Sequence, residues 1–169
     1  MPSEHSVAAA ALAAGLDGEA WYRDEVGSTN TELIALAREG APAWSVLVAG
    51  YQRAGRGRLG RTWAAPPGSS LMTSLLLRPR IAPADAPLIA LAAGACLARA
   101  VEEACGVVAR CKWPNDVLAG DRKLAGVLGE SVGLGTDDPR VVVGIGINAT
   151  WERDDFPPEL GETMTSLSD

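Results

Sequence analysis

The stretch from residue 110 to residue 148 constrains the fold more than any other part of the chain. It holds four strand-like segments separated by short turns, at residues 110–113, 117–119, 123–130 and 141–148. Gly120-Asp121, between the second and third segments, is a two-residue hairpin signal. Helix-like segments lie earlier and between, so the order of elements predicts an α+β domain with a mixed or antiparallel β-sheet covered by helices.

The first half of the chain adds further predicted elements. Thr29 followed by Glu32 is a capping-box signal, and Gly40 is a stop signal, so a helix is predicted over residues 32–40. A long apolar helix is predicted to cover one face of the sheet, with Gly106 just after its last turn. The predicted strands of this half are 20–26, 46–51 and 71–77, and the long helix is 84–104. Segment 71–77 is almost wholly apolar, which predicts a buried strand.

Residues 52–63 carry the clearest functional signal. Glycines alternate with arginines there: Gly55, Gly57 and Gly60 with Arg53, Arg56, Arg58 and Arg61. Glycine allows close approach of the backbone to a ligand, and the guanidinium matches carboxylate and phosphate. The pattern therefore predicts a mobile loop that closes over a multiply anionic small molecule. The same glycines match a dinucleotide-binding fingerprint, but Pro66-Pro67-Gly68 leaves no room for the helix that this fingerprint needs.

Composition narrows the class of ligand. The 169 residues carry a net charge of −6, and this length and hydrophobicity fit one globular domain. Between Glu39 and Asp85 the chain has six arginines and no acidic residue, so this segment is +6 and the rest is −12. A cationic segment in an acidic protein suits a small anion better than nucleic acid.

Several classes of site are not expected. The three cysteines, Cys96, Cys105 and Cys111, lack metal-ligand spacing and fit a reducing compartment. The one histidine, His5, lies near the N-terminus, so histidine acid–base chemistry is not expected. Residues 8–14 lack a basic n-region and predict a short helix rather than a signal peptide. No apolar run long enough to span a membrane is expected, and the predicted location is cytoplasmic.

Four short motifs each allow two interpretations. Strict alternation places Lys123 on one face with Ala125 and Val127. There Lys123 either binds an anion or is an edge lysine whose ammonium reaches water. Residues 112–116 are either a site or a turn between strands, braced by Asn115 and Asp116. Residues 28–30 are a ligand site or a helix cap. Trp63 is either a core residue or an aromatic side chain on which a ligand stacks.

The end of the last strand also leaves two interpretations open. Alternation puts Gly144, Gly146 and Asn148 on the same face. Two glycines in a buried strand leave a flat surface, here called the glycine floor, that a planar base can cover, and the Asn148 amide lies at its end. They are equally consistent with a bulge or a close helix crossing.

Taken together, these motifs resemble the catalytic domain of biotin–protein ligases. The resemblance covers about residues 20–150 and rests on five motifs in order. They are Ser-Thr-Asn (28–30), Gln-x-x-Gly-Arg-Gly-Arg-x-Gly-Arg-x-Trp (52–63), Lys-Trp-Pro-Asn-Asp (112–116), Lys-Leu-Ala-Gly-Val-Leu (123–128) and Gly-Ile-Gly-Ile-Asn (144–148). The resemblance implies a class II aminoacyl-tRNA synthetase-like fold and a single catalytic domain over residues 1–169, with an irregular tail at 151–169. The arginine–glycine loop differs from that of the related lipoate ligases.

The resemblance implies a two-step reaction and a role for each motif. Biotin is adenylated by Mg²⁺-ATP to biotinyl-5′-AMP, and biotin is then transferred to a lysine of a biotin carboxyl carrier domain. Lys123 and Arg58 would be the catalytic residues, holding the biotin carboxylate and the α-phosphate. With these two, the implied biotin-binding residues are Ser28, Thr29, Asn30, Gln52, Gly55, Arg56 and Gly57. The implied ATP-binding residues are Arg58, Arg61, Trp63, Lys112, Asn115, Asp116 and Asn148.

Within these sets, Trp63 would stack on adenine and Asn148 would hydrogen-bond its edge. Asp116 would be the Mg²⁺ ligand. Compared with the family, the chain lacks an N-terminal helix-turn-helix domain and a C-terminal SH3-like domain, so reduced activity is expected. Two alternatives stay open: a non-catalytic module that binds biotin or biotinyl-AMP, and a lipoate-type ligase. Neither nucleic acid nor membrane is an expected partner, and a homodimer is left open.

Overall fold

The computed structural model describes residues 2–169, and these residues form one seven-stranded sheet with three α-helices. The helices are α1 (Glu4–Ala13), α2 (Thr29–Arg38) and α3 (Ala86–Cys105). The strands are β1 (Ala20–Arg23), β2 (Val46–Ala49), β3 (Ser70–Leu77), β4 (Ala109–Lys112), β5 (Asp116–Ala119), β6 (Arg122–Val132) and β7 (Arg140–Asn148). The strand order is β1-β2-β3-β7-β6-β5-β4. Only β1 and β2 pair in parallel, so the predicted mixed sheet is confirmed.

The helices α2 and α3 cover opposite faces of the sheet. On one face, Leu33 and Ala37 of α2 pack with Leu47, Leu76 and Val142. On the other face, α3 packs over β4–β7 in two clusters that contain, among others, Ala98, Val117, Leu124, Val127 and Val143. Adjacent β7 residues thus serve opposite faces, as the two-residue period of a strand requires. Beyond the N-terminus of α2, the α2 face is left open over β7 and β6, and the cleft described below lies there.

Strand β3 is less buried than its apolar composition predicted. Its residues alternate between buried and more accessible positions, and Leu71 is exposed. The inward positions include Ser70 and Ser74, two polar residues that are both buried. The prediction of a wholly buried strand is therefore wrong. The face of β3 that carries Leu76 is buried and also supplies hydroxyl groups to the α2 side of the sheet, whereas the opposite face is only partly buried, with Leu77 packed on the α3-side core.

The long helix α3 is where the sequence predicted it, and Gly106 follows it with a left-handed φ of 70°. Glycine reaches this φ without the steric cost of a Cβ. With the preceding turn, Pro83–Cys105 is long and apolar enough to cross a membrane by length and composition. The expectation that no such run exists is therefore wrong. The helix packs along one face against the sheet.

The start of α2 differs from the predicted capping box. Thr29 is the first helical residue, Ser28 is the N-cap, and no side chain caps the helix. The Thr29 hydroxyl instead donates to Gln52 Oε1 at 3.0 Å. Residues 28–30 are all buried. Because this hydroxyl is bonded to Gln52, another cleft residue, the turn contributes to the neighbouring cleft.

Candidate active site

A cleft of about 700 Å³ lies beside the N-terminus of α2, and it brings most of the predicted site residues together. Its walls include Ser28, Thr29, Asn30, Gln52, Arg56, Gly57, Arg58, Arg61, Trp63, Lys112, Asn115, Asp116 and Lys123. Two predicted residues, Gly55 and Asn148, do not line it. Motifs up to 118 residues apart in the chain, from Ser28 to Gly146, thus contribute to a single surface.

One end of the cleft is built from neutral polar side chains. The backbone N–H of Thr29 donates to Gln52 Oε1 at 2.7 Å, and the Thr29 hydroxyl donates to the same oxygen. The Ser74 hydroxyl lies 2.8 Å from Thr29 Oγ1 and 2.6 Å from Asn30 Oδ1. Because buried polar groups that satisfy one another become rigid, this end of the cleft is preorganised. Ser74 was not predicted; it comes from β3, and nothing in its local sequence marks it.

The arginine–glycine segment forms a hairpin, residues 55–63, which we call the Arg hairpin. The backbone N–H of Trp63 donates to the Gly55 carbonyl at 2.9 Å, and the backbone N–H of Gly57 donates to the Arg61 carbonyl at 2.7 Å. A Cβ on Gly55 would lie 2.3 Å from the Trp63 carbonyl oxygen, so the close strand approach requires glycine. Leu59 at the tip has a positive φ of 56°. Mobility of this hairpin without ligand stays a prediction.

The glycine floor predicted on β7 exists, and side chains of the protein itself cover it. A Cβ on Gly146 would lie 2.6 Å from the indole of Trp63, and one on Gly126 of β6 would lie 3.1 Å from it. A Cβ on Gly144 would lie 2.3 Å from Asn30 Oδ1. The planar group on this floor is therefore Trp63, which is only part-buried and presents its remaining surface to the cleft.

We expect Gly146→Ala to displace the Trp63 ring, because the added methyl meets the rigid indole at less than contact distance. The cost is about 1–3 kcal/mol of unfolding free energy, typical of overpacking. Gly129→Ala is the matched control, since its Cβ would meet only Ala90 at 3.5 Å, an ordinary contact. Denaturant unfolding and near-ultraviolet circular dichroism measure both variants. Equal behaviour of the two would contradict the close packing of Trp63 on Gly146.

The position of Lys123 corrects the sequence prediction. The register of β5 with β6 pairs Val117 with Ala125 but Leu118 with Lys123, so Leu124 is an extra residue in a β-bulge. Leu124 and Ala125 are both fully buried in the α3-side core. Lys123 therefore does not share a face with Ala125 and Val127, as strict alternation predicted. The bulge turns it to the opposite face, which is the cleft face, where its Nζ lies 3.4 Å from the Cβ position of Gly126.

Lys123 is neither an edge lysine nor an unpaired one. Its Nζ lies 2.7 Å from Asp116 Oδ1 and 5.6 Å from the centroid of the Trp63 ring. About a quarter of each charged side chain in the pair is exposed. An ammonium with a carboxylate and an aromatic face beside it is held in place by both contacts. Lys123 is thus fixed at the cleft wall, where an anionic ligand can reach it.

The arginines of the Arg hairpin and its neighbours divide into paired and unpaired groups. Arg53 pairs with Glu25 at 2.7 Å, and Arg56 pairs with Glu130 at 2.7 Å. Among the described residues, Arg58, Arg61 and Lys112 have no acidic partner, although all three line the cleft. Unpaired cations on one wall favour binding of an anion, and the acidic rest of the chain does not neutralise them locally.

The turn at 112–116 supports the cleft with its amide residue. Asn115 is buried, and its Nδ2 donates to the Val127 carbonyl at 2.8 Å, while its own carbonyl accepts from the Val127 N–H. The predicted bracing of the turn by local side-chain hydrogen bonds is therefore replaced by a hydrogen bond from Asn115 to β6. Asp116 instead directs its carboxylate to Lys123. No group of three or more His, Cys, Asp or Glu residues that suits a metal ion occurs among residues 2–169.

The segment after β7 is irregular, as predicted, but it contributes to the cleft in a way that was not predicted. Trp151 and Phe156 stack with ring centroids 4.6 Å apart, and both line the cleft together with Met164. The backbone N–H of Lys123 donates to the Thr163 carbonyl at 2.7 Å, and the backbone carbonyl of Lys123 accepts from the Thr165 N–H at 2.9 Å. The segment therefore holds the backbone of the cleft lysine.

Asn148 belongs to this same packing. It is 1% exposed, and its Nδ2 donates to the Thr165 carbonyl at 2.9 Å. Thr165 also contacts the C-terminal residue: its hydroxyl donates to the Asp169 carboxylate, and this bond, together with Arg122, lowers the pKa of Asp169 from its ordinary value. The predicted contact of Asn148 with a base stays a prediction.

Comparison with known proteins identifies the family to which the chain belongs. The sequence matches the Biotin/lipoate A/B protein ligase family over residues 24–148. The chain belongs to this family. The matched range contains the five motifs, and the cleft walls contributed by residues 28–146 fall inside it.

Individual relatives from this ligase family are similar over most of the chain. The biotin–[acetyl-CoA-carboxylase] ligase of Mycobacterium tuberculosis is 39% identical over 161 residues, which are 90% of this chain and 57% of that protein. The bifunctional ligase/repressor BirA of Bacillus subtilis is 39% identical over 147 residues, 87% of this chain and 45% of that protein. The chain thus spans about half the length of the curated relatives it matches.

Solved structures from this ligase family share the fold. The biotin protein ligase of Aquifex aeolicus in complex with biotin and ATP has a TM-score of 0.68 and 33% identity, over 88% of this chain and 59% of that one. The biotin protein ligase of Leishmania major in complex with biotinyl-5-AMP has a TM-score of 0.73 and 25% identity, over 88% and 63% of the two chains. The predicted ligase-type fold is confirmed.

Proposed function

We propose that this chain is a biotin–protein ligase domain that adenylates biotin and transfers it to a lysine of a biotin carboxyl carrier domain. The observation that carries the proposal is the polarity of the cleft. Neutral donors and acceptors around Thr29, Asn30 and Gln52 lie at one end. Elsewhere the cleft is lined by cations, carboxylates and apolar side chains; the cations include Arg58, Arg61, Lys112 and Lys123, and the carboxylates are Asp116, Asp121 and Asp155. A neutral ureido ring with a carboxylate arm, joined to a nucleotide phosphate, matches that distribution.

The adenylation step mainly requires the protein to position the two substrates and to neutralise their charge. The biotin carboxylate attacks the α-phosphorus of ATP, the bond between the α- and β-phosphates breaks, and pyrophosphate leaves. Two anions must approach each other, so fixed cations lower the barrier. Lys123 is proposed to contact the carboxylate and the α-phosphate, with Arg58 covering the same centre from the Arg hairpin. Ser28 and Gly57 are proposed to complete the biotin-binding wall.

The nucleotide is proposed to lie against Trp63, since an indole fixed over Gly146 offers its open surface for stacking on adenine. Magnesium would arrive bound to the triphosphate, where it neutralises phosphate charge. Mg²⁺ is commonly held by one or two protein carboxylates plus phosphates, and Asp116, between Lys112 and Lys123, is the carboxylate suited to that position.

Transfer to the carrier lysine completes the proposed reaction. The lysine amine attacks the carbonyl carbon of the mixed anhydride, an amide bond forms, and AMP leaves. Arg58 and Lys123 would balance the phosphate charge that AMP carries away. The relatives' names support this substrate class, since one of them is a ligase for acetyl-CoA carboxylase.

Incubation with biotin and Mg²⁺-ATP is expected to yield a bound biotinyl-5′-AMP. Calorimetry measures biotin binding, mass spectrometry identifies the bound nucleotide, and biotin-dependent exchange of pyrophosphate into ATP measures turnover. Lipoate and octanoate are the control substrates and should support no exchange. Absence of binding at high micromolar biotin would refute the proposal. Binding without exchange would instead identify a non-catalytic biotin-binding module, and exchange with lipoate would identify a lipoate-type ligase.

A further inference from the structure

The Arg hairpin is attached to the sheet through a carboxylate that the sequence motifs do not include. Glu130 lies on the cleft face of β6, where its Oε2 accepts from Arg56 at 2.7 Å. The same oxygen accepts from Asn30 Nδ2, also at 2.7 Å. Glu130 thus joins the Arg hairpin to the N-terminus of α2, across 74 and 100 residues of sequence.

Asn30 gives this carboxylate a rigid support. Asn30 is 3% exposed, and its Nδ2 also donates to the Leu128 carbonyl at 3.2 Å. Its Oδ1 is 2.6 Å from the Ser74 hydroxyl and faces Gly144, where even a methyl group would not fit. Every polar atom of the Asn30 amide is therefore in use, and the amide cannot turn without losing hydrogen bonds. Glu130 is held by a group that is itself fixed.

The other ion pair of this segment is much less shielded. Arg53 pairs with Glu25, and their side chains are 66% and 52% exposed. In the Arg56–Glu130 pair the two side chains are 45% and 28% exposed, so both are more shielded than in the Arg53–Glu25 pair. Exposed pairs contribute little because water and salt screen them, whereas shielding strengthens the attraction. Arg53 precedes the Arg hairpin, so of these two pairs only Arg56 with Glu130 attaches the hairpin itself, and it is also the more shielded pair.

We propose that Glu130 is a positioning residue that holds the Arg hairpin against the sheet through Arg56. Glu130 acts through Arg56 and Asn30 and does not contact the ligand. By fixing Arg56, it keeps the neighbouring Arg58 and Arg61 over the cleft, where neither guanidinium group has an acidic partner among residues 2–169. The consequence for ligand retention rests on the proposed ligase function; the attachment of the hairpin does not.

Hydrogen exchange of the ligand-free protein tests the attachment directly. We expect Glu130→Gln to raise amide exchange within residues 55–63 by about three- to tenfold, because the hairpin opens more often when the charged contact is lost. Glu103→Gln is the matched control, since it removes the same charge from an exposed pair with Arg99 on α3. That control should leave residues 55–63 unchanged. Unchanged exchange in Glu130→Gln would overturn the proposal.

A double-variant cycle shows whether Glu130 acts through Arg56. Arg56→Gln leaves the contact of Glu130 with Asn30 intact and should raise exchange in the same residues by a similar factor. It also keeps the proposal testable if Glu130→Gln disturbs the fold. The double variant should exchange no faster than either single variant, because the two share one interaction. Additive effects would mean that Glu130 acts on another element, which would overturn the proposal.

Retention of biotinyl-5′-AMP gives the functional readout. Glu130→Gln should release the bound adenylate about three- to tenfold faster than the wild-type chain, with Glu103→Gln as the control. If the wild-type chain forms no adenylate, the proposed function fails, while hydrogen exchange still decides the attachment. If the adenylate forms and Glu130→Gln raises exchange without changing its release, the positioning role is refuted and the ligase function stands.

Discussion

Lys123→Ala is expected to slow biotinyl-5′-AMP formation by roughly 10²- to 10³-fold, the effect of removing one preorganised charge-assisted donor from a reacting centre. The structure supports this expectation because the bulge at Leu124 turns Lys123 into the cleft and Asp116 and Trp63 hold its ammonium there. Pyrophosphate exchange at saturating biotin and ATP measures the rate. Biotin binding, followed by calorimetry, should weaken by a smaller factor, because only one of its contacts is lost.

The ion pair with Asp116 requires a control for stability. Removing Lys123 leaves Asp116 without its partner, which should cost about 1–2 kcal/mol of unfolding free energy for a pair that is three-quarters buried. Combining Lys123→Ala with Asp116→Asn should recover part of that stability, since the amide needs no counter-charge. Adenylation should not recover. If Lys123→Ala folds and adenylates biotin at nearly the wild-type rate, Lys123 serves only to pair with Asp116.

Arg58→Gln is expected to release biotinyl-5′-AMP about 10- to 100-fold faster than the wild-type chain. Hydrogen bonds to charged groups contribute about 1.5–3 kcal/mol, and Arg58 has no acidic partner among residues 2–169 to compete with the ligand's phosphate. The Arg hairpin that carries Arg58 lies over the cleft, so the loss should act on release more than on formation. The measurement is the rate at which excess unlabelled biotin and ATP chase labelled adenylate from the protein.

Arg80→Gln is the matched control for Arg58→Gln. Arg80 belongs to the same basic segment, is exposed, and does not line the cleft. If general attraction by the basic segment retains the adenylate, the two variants should behave alike, and both effects should disappear at high salt. A specific contact predicts a large effect for Arg58 alone. Equal release rates in the two variants would refute a specific contact.

The predicted residues that the structure brings to the cleft are mostly those whose signal is visible within a few positions, while their roles stay predictions. Glycines alternating with arginines in 52–63 indicated an anion-binding loop, and the structure places Arg56, Arg58 and Arg61 on the cleft wall. The hairpin signal Gly120-Asp121 was also confirmed, with Ala119 paired to Arg122 across it. These features succeed because turn geometry and side-chain charge depend on local residues alone.

Prediction of side-chain direction failed where the strand departed from regular pleating. Lys123 was assigned to the face of Ala125 because alternation assumes one residue per pleat. The bulge at Leu124 inserts an extra residue and moves Lys123 to the cleft. The register between β5 and β6 creates that bulge, and neither strand encodes it alone. Only the paired sheet decides which face carries the lysine.

Sequence by itself determined the α+β class, the elements in order and the set of motifs that meet in the cleft. The tertiary structure decided the partners: Trp63 on the Gly146 floor, Ser74 beside Asn30, and Glu130 against Arg56. It also placed the segment after β7 against Lys123. These contacts join residues 40 or more positions apart. They depend on how strands and loops pack in three dimensions, and no periodicity in the sequence records that packing.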